Sequence, residues 1–156
     1  MSVTSVRATG WAQSFPMAGG VQASRRWVRR HLDTLGWNEW APEIADAVEL
    51  TVSELVTNAH LHARSTAQIV LVWDNRYLHV SVHDDSHDLP AARTPDDDSL
   101  GGRGIVLVDA LADSWGARQQ GSGKTVTACF RGPVILRCDP PCPPTRRPAD
   151  PAPGQP

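Results

Sequence analysis

The chain is 156 residues long, 40% hydrophobic and 21% charged, with 15 Lys+Arg against 17 Asp+Glu and a formal net charge of −2. That is one domain's worth of sequence, and so even a charge balance gives no electrostatic footing for nucleic acid or a membrane surface. Three cysteines make no disulfide framework, and no run reaches the ~18 apolar residues of a membrane helix, so the expectation is a soluble cytoplasmic domain.

In chain order, residues 1–13 are weakly patterned, a loosely ordered segment or an edge strand; Val3–Val6 and Trp11–Phe15 can each supply a short strand. From Gly20 to Leu35 the apolar residues Val21, Trp27, Val28, Leu32 and Leu35 recur at helical spacing, and Gly36 stops the run. Pro42 stands at the first turn of a second, longer helix, whose stripe of Ile44, Val48, Leu55 and Ala59 carries on to about Ala63. Residues 67–73 (AQIVLVW) read as a buried strand, Asn75-Arg76 as a turn and 77–82 (YLHVSV) as the hairpin partner. A polar Asp-, Pro- and Gly-rich loop over 84–103 leads to a short apolar helix from Ile105 to Leu111. Ser114–Arg118 and Thr125–Phe130 make a final hairpin. Nine of the 13 prolines fall in 133–156, which predicts a disordered, partly extended tail behind a domain spanning 14–132. Helices first and hairpins after predict an α+β fold with helices on one face of a mixed, mainly antiparallel sheet.

Four places carry residue choices that suit chemistry. In Ser53-Glu54-Leu55-Val56-Thr57-Asn58, Glu54 and Asn58 lie one helical turn apart on one face. A carboxylate able to act as base beside a neutral oxygen ligand suits Mg²⁺ and phosphate, although taken alone the pair reads better as a solvated Glu and Asn on an exposed stripe. Asp84, at the end of a strand, is placed to accept a hydrogen bond from an exocyclic amine; Asp and Ser there also simply favour a turn. Gly102, Arg103 and Gly104 open a helix, where close backbone approach and free amides suit phosphate. Gly121-Ser122-Gly123-Lys124-Thr125 looks like the end of a P-loop but runs into the β-branched Thr125, Val126 and Thr127, and a P-loop is followed by a helix. No His or Cys spacing matches a zinc site, and the six tryptophans read mostly as core.

The order of these pieces is more specific than any one of them. SELVTNAHLHA (53–63), GGRGIVLVDALADSWG (101–116) and GKTV (123–126) together resemble the GHKL, or Bergerat-fold, ATP-binding family, and within it the anti-sigma-factor serine/threonine kinases, over roughly residues 14–131. The resemblance implies a two-layer α/β sandwich and ATP with Mg²⁺ as cofactors. It implies Asn58 as the Mg²⁺ ligand and Glu54 as the acid that polarises the attacking hydroxyl. Asp84 then accepts from the adenine amine, Thr125 supports that Asp, and Gly102 and Gly104, with Arg103 between them, lie against the phosphates. Implied partners are ATP or ADP, a sigma factor and an anti-anti-sigma (STAS-type) protein, with the Arg-rich first helix (RRWVRR, 25–30) helping to form the partner and homodimer surface. One departure stands out: the family's DxGxG box is replaced by Asp84-Asp85-Ser86-His87-Asp88, without glycine. That substitution motivates an alternative, a nucleotide-sensing protein-binding module without phosphoryl transfer.

Overall fold

The computed structural model describes residues 8–86 and 102–133, the side chains of 102–104 excepted. The tail beyond 133, the strand expected at Val3–Val6 and most of the polar loop lie outside the described residues.

Strand β1 (Thr9–Phe15) leads into α1 (Gly20–Thr34), the single-turn α2 (Trp37–Trp40) and α3 (Pro42–Asn58). A π-helical turn (Ala59–Ala63) extends α3 before β2 (Ala67–Trp73) and β3 (Tyr77–Asp84). Helix α4 (Gly102–Leu111) and the hairpin β4 (Ser114–Gln120) and β5 (Gly123–Arg131) complete the order. The sheet runs β1-β2-β3-β5-β4 and every pairing is antiparallel. The boundary expected at residue 13 therefore falls inside an edge strand of the same sheet. The fold is α+β, a two-layer sandwich.

Local chemistry accounts for the elements. Gly19 and Gly36 adopt left-handed φ of 69° and 77° on either side of α1, which residues with a Cβ enter at a cost. Pro42 supplies the first turn of α3, where its missing N–H goes unused. The short helix α2 and the early start of α4 at Gly102 were not foreseen from periodicity, because one turn is too short to show a period and glycine is a poor helix former.

Alternation along the strands sorts the two faces of the sheet. Ile69, Leu71, Leu78, Val80, Val82, Val126, Ala128 and Phe130 point to the helices and are buried, as are Val48, Val52, Leu55 and Val56 of α3. Helix α3 lies between α1 and α4 and packs on β3 and β5. Trp27 and Trp37 are core, whereas Trp40 is 75% exposed, against the expectation that tryptophans pack inside.

Edge strand β1 is held to α1 through His31, which stacks on Trp11 at 4.6 Å and meets Trp27 edge-on at 4.6 Å. Burial, with a smaller contribution from the charge of Arg30, holds the His31 pKa below its usual 6.5. The unfolded chain then binds a proton that the folded chain resists, so stability falls as pH drops through about 6.5. The urea midpoint should be lower at pH 5.5 than at pH 7.5, and His31→Phe should reduce that difference.

Candidate functional site

Glu54 and Asn58 stand one turn apart near the C-terminal end of α3, both half-buried, and neither side chain makes a hydrogen bond or ion pair with another described residue. Their neighbours on the helix, Leu55, Val56 and Ala59, are core. Packing thus fixes the rotation of α3 and leaves these two polar groups at the border of the core with free bonding capacity. Directly after Asn58 the helix widens into the π turn, a distortion often found at functional sites. Thr51, two turns before Asn58 on the same stripe, is fully buried, and its Oγ1 has no hydrogen-bond partner among the described residues.

The far end of that turn is tied to the end of β3. The hydroxyl of Ser65 accepts the Asp85 N–H at 3.2 Å, which brings the helix end carrying Asn58 and the strand end carrying Asp84 to one side of the molecule. Sequence reading passed over Ser65, since a lone serine after a helix signals only a loop.

Asp84 faces the core side of the sheet and is 3% exposed. Its Oδ1 accepts the Ser86 N–H at 2.8 Å, and its Oδ2 lies 3.2 Å from Nζ of Lys124, itself 6% exposed. A carboxylate offers about four acceptor positions, so Asp84 keeps acceptor capacity for a ligand amine. The register places Lys124 directly opposite Asp84, and Thr125 opposite His83 on the other face. There the Thr125 hydroxyl bonds His83 Nδ1 at 3.0 Å and Gln120 Oε1 at 2.8 Å. Support of Asp84 by Thr125 is therefore corrected: a one-residue step along a strand changes face, and Lys124 holds that place. Lys124 also opens a strand rather than a helix, in keeping with rejection of a P-loop.

Gly102, Arg103 and Gly104 form the first turn of α4, which packs against α3. The first amides of a helix have no carbonyl partner within it, which suits such a turn to anions. Gly123 permits the close approach of β5 to β3, because a Cβ there would run into the Asp84 carbonyl oxygen. Gly123→Ala should cost about 1–3 kcal/mol in urea unfolding, as overpacking against a backbone that cannot yield does.

Among the described residues no group of three or more His, Cys, Asp or Glu is gathered as for a metal ion. Asn58 alone offers one neutral oxygen, so an ion there would need most of its ligands from a phosphate ligand and water. A separate cavity of about 710 Å³ lies along α1, lined by Arg25, Arg26, Arg29 and Arg30 with Gln13 and Glu49. Arg25 and Arg29 are engaged there by Glu49, and Arg29 also by Asp46.

Residues 18–130 match the family model of the histidine kinase-like ATPase domain. The chain belongs to that family. A comparison with curated proteins returns no match. Membership in the histidine kinase-like ATPase domain family makes ATP the ligand of this domain and fits a regulatory protein. The matched span takes in Glu54, Asn58, Asp84, the first turn of α4 and the start of β5. Among the described residues no helix is long and apolar enough to cross a membrane.

Proposed function

We propose that the chain is a Mg²⁺–ATP-dependent serine/threonine protein kinase of the anti-sigma-factor type, acting in the cytoplasm on an anti-anti-sigma partner. The observation that carries this reading is the pair Glu54 and Asn58, one turn apart, half-buried and with side chains that bond no other described residue. Bound ATP with Mg²⁺ would supply the transferable phosphoryl group and neutralise charge on its oxygens. Asn58 would hold the metal through its amide oxygen. Glu54 would accept the proton of a partner serine or threonine hydroxyl, or orient it. Asp84 would take the base amine in its remaining acceptor positions, while the amides of Gly102, Arg103 and Gly104 meet phosphate oxygens. The arginine-lined cavity on α1 supports a surface for a sigma factor or for a second copy of the chain, with Arg26 and Arg30 exposed.

One observation favours the second reading, a nucleotide sensor that changes partners without transfer. The residues after Asp84 (Asp85-Ser86-His87-Asp88) lack the glycines that would bring backbone close to a nucleotide. Calorimetric titration with ATP, with and without Mg²⁺, tests both readings. Mg²⁺-dependent binding that falls at least tenfold in Asn58→Ala is the expected result. Binding that ignores Mg²⁺ and Asn58 would overturn the assignment of the metal ligand and favour the sensor.

A further inference from the structure

The sheet face turned away from the helices carries a second cluster, remote in register from Asp84 and Lys124. His79 on β3 lies directly opposite Cys129 on β5. Its Nδ1 is 3.2 Å from the Cys129 sulfur and its Nε2 is 2.9 Å from Oδ2 of Asp74. Asp74, in the β2–β3 turn, is fixed in place because its Oδ1 accepts the backbone N–H groups of Arg76 at 2.9 Å and Tyr77 at 2.7 Å. Cys129 is half-buried and a free thiol, and the His79 and Asp74 side chains are 35% and 31% exposed. Small solutes can therefore reach the group.

The polarity of this chain of bonds follows from Asp74. The bond from His79, and next the Tyr77 N–H, hold its carboxyl pKa at about 2, so at neutral pH it is a carboxylate and can only accept. Nε2 of His79 must carry the proton. In the neutral ring Nδ1 is then left with its lone pair, aimed at the thiol. A nucleophile, a base in bonding reach of it and a carboxylate orienting the base form the arrangement that activates cysteine.

We infer that Cys129 is a peroxide-reactive thiol on the open face of the sheet, with His79 as its base and Asp74 as the residue that positions the base. Acyl transfer is a poorer match. Strand β5 is paired on both sides and the Cys129 carbonyl accepts the Asp113 N–H at 2.9 Å. The backbone at Cys129 is thus committed to the sheet and not shaped to bind an oxyanion. A hydroperoxide needs only a thiolate and a proton for the departing oxygen. The Cys129 proton moves to His79 Nδ1 and the thiolate sulfur attacks the nearer peroxide oxygen. The O–O bond breaks, and the departing alkoxide or hydroxide takes the proton back from His79. The products are Cys129 sulfenic acid and an alcohol or water; sulfur is oxidised by two electrons and the peroxide reduced by two. Of the other ionisable groups nearby, Tyr77 has its ring centroid 6.4 Å from the imidazole, and the Asp113 carboxylate accepts the Arg131 N–H; neither bonds the sulfur.

The test uses the full chain with Cys138→Ser and Cys142→Ser, so that Cys129 is the single thiol. It is treated with hydrogen peroxide in the presence of dimedone, and labelling at Cys129 is followed by peptide mass spectrometry from pH 5 to 9. A free thiol is only a few per cent thiolate at neutral pH, which leaves room for about a tenfold gain from an adjacent base. The expected result is a rate at pH 7 that falls about tenfold in His79→Gln and by a similar or smaller factor in Asp74→Asn. Both profiles should move toward that of the chain unfolded in urea. A packing role alone would not move the profile. Equal rates at pH 7 in the parent chain and His79→Gln would overturn the inference. If that variant does not fold, the parent chain decides alone: coincident profiles for the folded and urea-unfolded parent overturn it, and a folded profile displaced to lower pH supports it.

Discussion

Replacing Lys124 with methionine should lower the free energy of unfolding by about 3–5 kcal/mol, the usual cost of removing one partner of a buried ion pair. Methionine matches the aliphatic length of lysine, so little packing is lost, and the penalty comes from the charge that remains. Asp84 is 3% exposed and has Lys124 at 3.2 Å and the Ser86 N–H as its bonding partners. Without the ammonium, Asp84 must either stay charged in a poorly solvated site or take up a proton. Domains of this size are stable by only about 5–15 kcal/mol, so the loss should show plainly as a shifted urea midpoint. The second substitution is diagnostic. Asp84→Asn in the Lys124→Met background removes the orphaned charge and should restore much of the stability. A single variant as stable as the parent would mean that the pair is better solvated than its burial indicates.

The same pair bears on ligand recognition. Asp84 is a good receptor for an amine because Ser86 and Lys124 fix both of its oxygens while leaving acceptor positions open. In the Asp84→Asn, Lys124→Met double variant the fold should persist while the acceptor is weakened by replacement of a charged oxygen with a neutral amide. Stability and ATP affinity would then part company, which separates a structural ion pair from one that also serves a ligand.

How much of this could be read in the sequence varies with the range of the interaction. Periodicity placed α1, α3, β2 and the two hairpins to within a residue or two at most ends, because burial on one face imposes it directly. Glu54 and Asn58 were visible for the same reason: four residues along a helix is one turn. Asp84 was visible as a strand-ending acid. What was missed depends on register between distant strands. Whether Lys124 or Thr125 meets Asp84 turns on a single residue of pairing between β3 and β5, about 40 positions apart, and neither segment encodes it locally. Ser65 and the cluster of His79, Cys129 and Asp74 were missed likewise, since each exists only after the strands are paired. The family resemblance supplied order, and geometry supplied partners.

On the kinase reading, Glu54→Ala should reduce phosphoryl transfer to the partner by about 10²-fold or more, the range general base catalysis commonly contributes, while changing ATP affinity little. The asymmetry between Glu54 and Asn58 follows from their chemistry and placement. Both are half-buried on one face of α3, but Asn58 is a neutral oxygen ligand suited to the metal–phosphate group, and loss of it should appear in binding. Glu54 has a proton-accepting carboxylate, and loss of it should appear only when a hydroxyl is attacked. Single-turnover transfer from radiolabelled ATP to the partner protein, alongside calorimetry on the same samples, distinguishes the two. Glu54→Gln refines the result, because it keeps the size and hydrogen bonding of the side chain and removes its basicity. A defect as deep in Glu54→Gln as in Glu54→Ala points to proton acceptance, and a shallow one to orientation of the hydroxyl. Unchanged transfer in both variants would remove Glu54 from the chemistry and leave nucleotide sensing as the function of the domain.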